Sequence, residues 1–224
     1  MDSTGFLLVS ATETECAPIL GKISGCTSIT PRLYTGTLQG QPVDILISGI
    51  GAVATTFRLT QTLMSRSYSY AVSMGIAGSF AANIPVEEVV QITEDCFADL
   101  GIDDNGTFLN LREAKLNNKD DCFSEDFIIN PSPASSIHRK VLGITMQTAT
   151  GSRKRIDELV HKYQPDVETM ENAAFFYVCR MMQIPFASFR AISNKVEPRN
   201  REKWFITEAI EKINHAIIDF YFHK

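Results

Sequence analysis

No signature of the commonest catalytic classes appears in this chain, and each absence removes a function. It has neither a G-x-x-x-x-G-K-[ST] loop nor a G-x-S-x-G elbow, which removes the P-loop enzymes and the common serine hydrolases. Ser48-Gly49-Ile50-Gly51 carries two glycines but lacks the third that a dinucleotide fingerprint needs. His138, His161, His215 and His223 are scattered without metal-ligand spacing, so no metal site is expected. The five cysteines, Cys16, Cys26, Cys96, Cys122 and Cys179, include no C-x-x-C pair. An odd, dispersed set reads as reduced thiols in a cytoplasmic protein. Basic residues are not in excess: 21 Lys and Arg stand against 26 Asp and Glu, for a net charge of −5, which argues against a nucleic-acid partner. No apolar run reaches membrane-spanning length. Met1-Asp2-Ser3-Thr4-Gly5 has neither the basic nor the apolar part of a signal peptide.

What is present fits one α/β domain over residues 1–224, with 44% hydrophobic residues. Residues 6–10, 70–74, 86–93, 143–149 and 186–192 are short apolar runs that read as strands. Residues 33–38 and 43–48 read as two more, joined at Gln39-Gly40-Gln41-Pro42 as a hairpin. Helices are expected over 52–67, 153–163 (with Ser152 as N-cap), 172–182 and 201–222, and a further one opens near Ala11-Thr12-Glu13-Thr14-Glu15. Alternating strands and helices predict a three-layer α/β/α fold around a mixed, mostly parallel central sheet. Residues 95–137, dense in Asp and Asn, read as a surface excursion that serves as a lid or a substrate-facing loop. Asp103 and Asp104 read there as solvated loop residues. Trp204, Ile210, Ile213, Ile217 and Phe220 recur at helical spacing and read as core.

The chain is organised around residues 167–194. Met170-Glu171 opens an apolar helix, Pro185 ends it, and a central strand then stops at Ser193-Asn194. In open α/β sheets ligands bind at strand carboxyl ends. Glu15, Glu171, Ser193 and Asn194 all stand at such junctions, beside the small residues Gly75-Ile76-Ala77-Gly78-Ser79. Each has a plainer reading. Glu13 and Glu15 suit a helix N-terminus electrostatically, the glycines at 49 and 51 suit a tight join, and Asn194 suits the end of a strand. Taken together, the carboxylates and the amide can activate water, grip a polyol and hold a heterocycle. The pattern reaches no further.

Five pieces in order carry a resemblance: Ala11-x-x-x-Glu15, Ser48-Gly49-Ile50-Gly51, Gly75-Ile76-Ala77-Gly78, Met170-Glu171 and Arg190-Ala191-Ile192-Ser193-Asn194. On them the chain resembles the nucleoside phosphorylase and nucleosidase superfamily, close to the nucleosidases of methylthioadenosine and S-adenosylhomocysteine. Phe97-Ala98-Asp99-Leu100-Gly101 and Ala191-Ile192-Ser193-Asn194 are most similar to the branch that cleaves futalosine in menaquinone synthesis. The resemblance implies a cofactor-free purine nucleosidase, a homodimer, with a small-molecule nucleoside as its partner. It assigns Glu15 to the attacking water and Met170 and Glu171 to the ribose. Ala77 and Gly78 supply the backbone beside sugar and base, and Arg190 holds the acidic groups. Ser193 supports the purine-side residue, and Asn194 occupies that position. Adenine-releasing relatives carry Asp there. An amide donates to the N7 and O6 acceptors of a 6-oxopurine, which an ionised carboxylate would repel, so hypoxanthine is the expected leaving group. Those relatives also stack an aromatic residue on the base near Thr150-Gly151. Gln147-Thr148-Ala149 offers none, and Phe97 is the expected substitute.

Overall fold

The computed structural model describes residues 4–116, 126–134, 137–198 and 200–222. Cys122, His223 and the polar run at 117–121 lie outside the described residues. The chain alternates elements as expected, beginning with β1 (Thr4–Ser10), α1 (Glu13–Leu20), β2 (Ser24–Thr30), β3 (Leu33–Leu38), β4 (Gln41–Ile47), α2 (Ala52–Ser65) and β5 (Tyr68–Ser79). Then come β6 (Val89–Asp95), the hairpin β7 (Gly101–Asp104) and β8 (Thr107–Asn110), β9 (Ile128–Ile129), β10 (Arg139–Thr145) and α3 (Arg153–Tyr163). β11 (Val167–Thr169), α4 (Asn172–Met181), β12 (Phe186–Lys195) and α5 (Ile206–Phe222) complete it.

The main sheet is mixed and runs β11-β10-β6-β12-β5-β1-β4-β3-β2. Its parallel pairings include β4-β1-β5-β12. β11 also pairs antiparallel with β5, so the sheet curls back on itself at that end. Alternation along the strands sorts the core. Leu7 and Val9 of β1 pack toward Leu59 of α2 and Phe175 and Phe176 of α4. Leu8, between them, faces Ile19 of α1 and Ile213 and Ile217 of α5. Helices therefore cover both faces. Burying the phenylalanines of α4 contributes roughly 1.5–3 kcal/mol each.

Three regions depart from the expectation. β2 is exposed along its whole length and pairs only with β3, so no apolar alternation marks it. Within residues 95–137, β7 and β8 form a hairpin, and Asp103 and Asp104 are exposed as read. α5 begins at Ile206 rather than 201, after a single 3-10 turn at Arg201–Lys203. Among the described residues, no helix is long and apolar enough to cross a membrane. Cys16, Cys26, Cys96 and Cys179 are free thiols.

Candidate active site

The carboxyl ends of β1, β5, β11 and β12 open onto one cavity of about 410 Å³. Glu15, Ala77, Gly78, Met170, Glu171, Ser193 and Asn194 line it. Seven of the nine site residues read from the sequence thus meet in one place, although they come from four separate stretches of chain.

Glu15 caps its helix and also lines the cavity. It is the third residue of α1 and closes a capping box with Thr12. Its Oε2 accepts from the Thr12 backbone N–H at 3.1 Å and from the Thr12 hydroxyl at 3.0 Å. Its Oε1 accepts from the Ile76 N–H at 3.1 Å, across the cavity floor. Three donors therefore hold the carboxylate in one orientation. Gly75 makes this approach possible, because a Cβ there would lie 2.7 Å from Glu15 Oε1.

Glu171 is placed by the glycine junction after β4. Its Oε1 accepts from the Gly51 N–H at 2.8 Å. Gly51 sits at φ 90°, a conformation that L side chains rarely adopt. Gly49, at φ 85°, also packs against Arg58, whose guanidinium leaves no room for a Cβ at residue 49. These two glycines therefore make the tight turn and aim one amide at a site carboxylate. Burial raises the pKa of Glu171, while the Gly51 amide and Arg190 oppose that shift.

Arg190 does not line the cavity. It is buried behind it, donating to the Ser188 hydroxyl at 3.1 Å, the Phe189 carbonyl at 2.9 Å and the Ser73 hydroxyl at 2.9 Å. Burial lowers its pKa, and the carboxylates of Glu171, Glu15 and Asp95 pull it back up. It acts on the acidic groups through space, as a fixed positive charge beneath them.

Asn194 follows a bulge. β12 pairs Ile192 with Ala77 and then Asn194 with Gly78, leaving Ser193 extra. Such bulges re-aim a side chain beside a site. The Ser193 hydroxyl donates to Asn194 Oδ1 at 2.8 Å, and Asn194 Nδ2 donates to the Lys195 carbonyl at 2.9 Å. With the oxygen engaged by a donor and one N–H by an acceptor, this cavity-lining amide has one further N–H that can donate.

Phe97 is a correction. It bridges to Thr145 and faces a separate small crevice with Cys96, Leu100 and Tyr163. It does not line the cavity. No described residue of the 95–137 excursion lines the cavity either. Trp204 is a second correction: it lies ahead of α5 and lines the cavity with Ile50, Ile76 and Ile206, whereas Ile213, Ile217 and Phe220 are core as read. Thr207-Glu208, a helix-start pair, was the signal that Trp204 lies outside the helix. Glu168 and Thr150 also line the cavity. Nothing in the sequence pattern singles them out, since β11 is only three residues long. Among the described residues, no group of His, Cys, Asp and Glu is placed to hold a metal ion.

The chain is similar to known proteins in sequence and in fold. The chain is 24% identical over 185 residues to the futalosine hydrolase of Thermus thermophilus, covering 80% of this chain and 81% of that one. It is 28% identical over 198 residues to the 5'-methylthioadenosine/S-adenosylhomocysteine nucleosidase of Anoxybacillus flavithermus, covering 84% of each. The solved structure of Helicobacter pylori futalosine hydrolase superposes with a TM-score of 0.82 at 15% identity, over 99% of this chain and 98% of that one, and so shares its fold. The profile of the phosphorylase superfamily matches residues 6–220, and the chain belongs to that superfamily.

Proposed function

We propose that this protein hydrolyses the N-glycosidic bond of a purine nucleoside, with futalosine as substrate and hypoxanthine as leaving base. The observation that carries the reading is the convergence of the Glu15 and Glu171 carboxylates and the Asn194 amide on one cavity floored by Ala77 and Gly78. Cleavage passes through an oxocarbenium-like sugar, which carboxylates near the ribose stabilise. Glu15, fixed by three donors, takes the proton of the attacking water, a role typically giving 10²–10⁴-fold. Glu171 and Met170 hold the ribose. Asn194 donates to the N7 side of the departing base, and Ala77 and Gly78 let the ring lie on backbone. The acidic first loop would repel phosphate, so water is the nucleophile.

A homodimer in the cytoplasm fits the surface of α2. Val53, Phe57 and Met64 fall on one helical face and are exposed there, with Ile50 just ahead of them. Placed in menaquinone synthesis, the enzyme would release hypoxanthine from futalosine. An adenine-releasing nucleosidase is the second reading, favoured by the 28% identical relative and by the apolar wall of Ile50 and Trp204. Incubation with futalosine and with methylthioadenosine, without phosphate, separates the two by the base released. Faster adenine release, or a rate that depends on phosphate, overturns the proposal.

A further inference from the structure

Glu15 is carried by a helix that is poorly built to hold its own shape. α1 is eight residues long, and helices that short are marginal by themselves. Pro18 lies inside it and has no N–H to give, so the Thr14 carbonyl lacks its helical donor and the proline ring crowds it. The next step of the ladder joins the Glu15 carbonyl and the Ile19 N–H. The capping box belongs to this same segment and travels with it. It therefore fixes the carboxylate to the helix, but not the helix to the cavity.

A side chain from the other end of the sequence reaches both groups of that step. Asn214 of α5 is fully buried. Its Nδ2 donates to the Glu15 carbonyl at 2.8 Å, and its Oδ1 accepts from the Ile19 N–H at 3.2 Å. Nδ2 also donates to the Ile210 carbonyl, one turn back in α5, at 2.7 Å. A flipped amide would set its oxygen against two carbonyls, so the partners fix its orientation. The surroundings are apolar: Ile213 and Ile217 of α5 pack in one cluster with Cys16 and Ile19 of α1. An amide buried there costs free energy unless its hydrogen bonds are made. They are made to the two backbones that frame the cavity, at Glu15 on one side and at Ile210, which lines it, on the other.

We infer that Asn214 is a positioning residue for the reaction: it braces α1 beside its broken step and sets the Glu15 backbone at a fixed distance from the cavity wall of Trp204, Ile206 and Ile210. This rests on the proposed role of Glu15 as general base, and not on which purine leaves. The Glu15 side chain is then held at both ends. The Ile76 N–H of β5 fixes its tip, and Asn214 of α5 fixes its root. Without the amide, the Glu15 carbonyl and the Ile19 N–H lose a buried partner, and α1 moves to replace it. The capping box passes that movement to the carboxylate. Glu171 is bonded to Gly51 instead, so the chemical step suffers before substrate binding does.

The test measures steady-state base release from futalosine, or from methylthioadenosine if wild type turns that over faster, at a temperature where every variant is folded. Wild type is compared with Asn214→Ser, Asn214→Leu and Ile217→Ala. Serine can bond back to the Ile210 carbonyl but is too short to reach α1; leucine keeps the volume and removes the bonds. Both are expected to lower kcat by about 10- to 100-fold with KM within about threefold of wild type. Ile217→Ala loosens the same buried face of α5 without removing a hydrogen bond. It is expected to unfold at lower urea and yet to keep kcat within about threefold of wild type. Either Asn214 variant with kcat within about threefold of wild type overturns the inference, and so does an equal fall in Ile217→Ala. Glu15→Gln, assayed alongside, separates the two claims. If it turns over like wild type, the general-base reading fails and takes the inference with it. If it is inactive while the Asn214 variants are normal, only the inference falls.

Discussion

Replacing Gly75 by Ala puts the proposed general base under a sharp test, because it alters the position of Glu15 without altering Glu15. Gly75 lies within β5, outside the left-handed region, so an alanine backbone is tolerated there. Its new Cβ would stand 2.7 Å from Glu15 Oε1 and 3.4 Å from Glu15 Cδ. The first distance is far inside van der Waals contact, so the carboxylate must move and give up its 3.1 Å bond from the Ile76 N–H. The bonds from Thr12 hold the other oxygen, so the side chain swings about them rather than leaving. A displacement approaching 1 Å at a catalytic group costs about 10²-fold. Glu171 is bound elsewhere, by Gly51, so the ribose grip survives. Steady-state release of hypoxanthine from futalosine is therefore expected to show kcat lower by about 10²-fold with KM little changed. Made on top of Glu15→Gln, the same substitution is expected to cost far less, since the two act on one group. Refutation would be a Gly75→Ala enzyme, folded and as heat-stable as wild type, whose kcat stays within about threefold of it.

Asn194→Asp puts an anion where O6 of the base would lie, and it is expected to move the preference from hypoxanthine toward adenine by about 10- to 100-fold; the base-release ratio measures it, and an unchanged ratio removes Asn194 from base recognition. Glu171→Ala removes the carboxylate that the Gly51 amide holds, and kcat/KM is expected to fall by about 10²–10³-fold, as read from initial rates. Asp95 is fully buried and its carboxyl is pushed up by burial from 3.8 to about 7. Its native pKa lies above its unfolded one, so its contribution to stability is complete below about 4 and lost as pH rises toward 7. The loss is on the order of 4 kcal/mol at most. Urea melts of wild type and Asp95→Asn across that window are expected to diverge, the variant lacking this fall; parallel curves would show that Asp95 does not titrate there.

Where one side chain settled both local structure and burial, the sequence was legible. The apolar runs of β1, β4 and β12 and the helix α4 carry their own period, and Pro185 marks the end of α4. The start of α1 was visible in Thr12, Glu13 and Glu15, and the structure closes it as a capping box. Where neighbours decide, the pattern was silent. β2 buries nothing, so its residues show no alternation. β11 is too short to have a period. The turn Asn105-Gly106, with φ 52° and 87°, is a strong hairpin signal hidden among the surrounding Asp and Asn residues. Phe97 was matched to the base because an aromatic was wanted there, and only the strand order shows that it faces another crevice.

The deeper illegibility concerns what holds the motifs in register. Met170 and Glu171 are recognisable as a pair, but the turn they occupy is set by residues that belong to no motif. The first two amides of α4, at Asn172 and Ala173, donate to the hydroxyls of Thr169 at 3.2 Å and Thr145 at 2.8 Å. The Thr145 hydroxyl donates in turn to Asp95 Oδ1 at 3.0 Å, and Asn172 Nδ2 donates to Asp95 Oδ2 at 2.8 Å. On the other side, Asn172 Oδ1 accepts from the Ser188 hydroxyl, which itself accepts from Arg190. One buried chain of hydrogen bonds thus runs from the cation behind Glu15 to the start of the helix that follows Glu171. Directly bonded members lie up to 77 residues apart in sequence, and each alone reads as an ordinary polar residue in a core. Since a buried network of this kind holds its shape only when every member is satisfied, the spacing between the two site carboxylates is a property of Asp95, Asn172 and Ser188 as much as of Glu15 and Glu171.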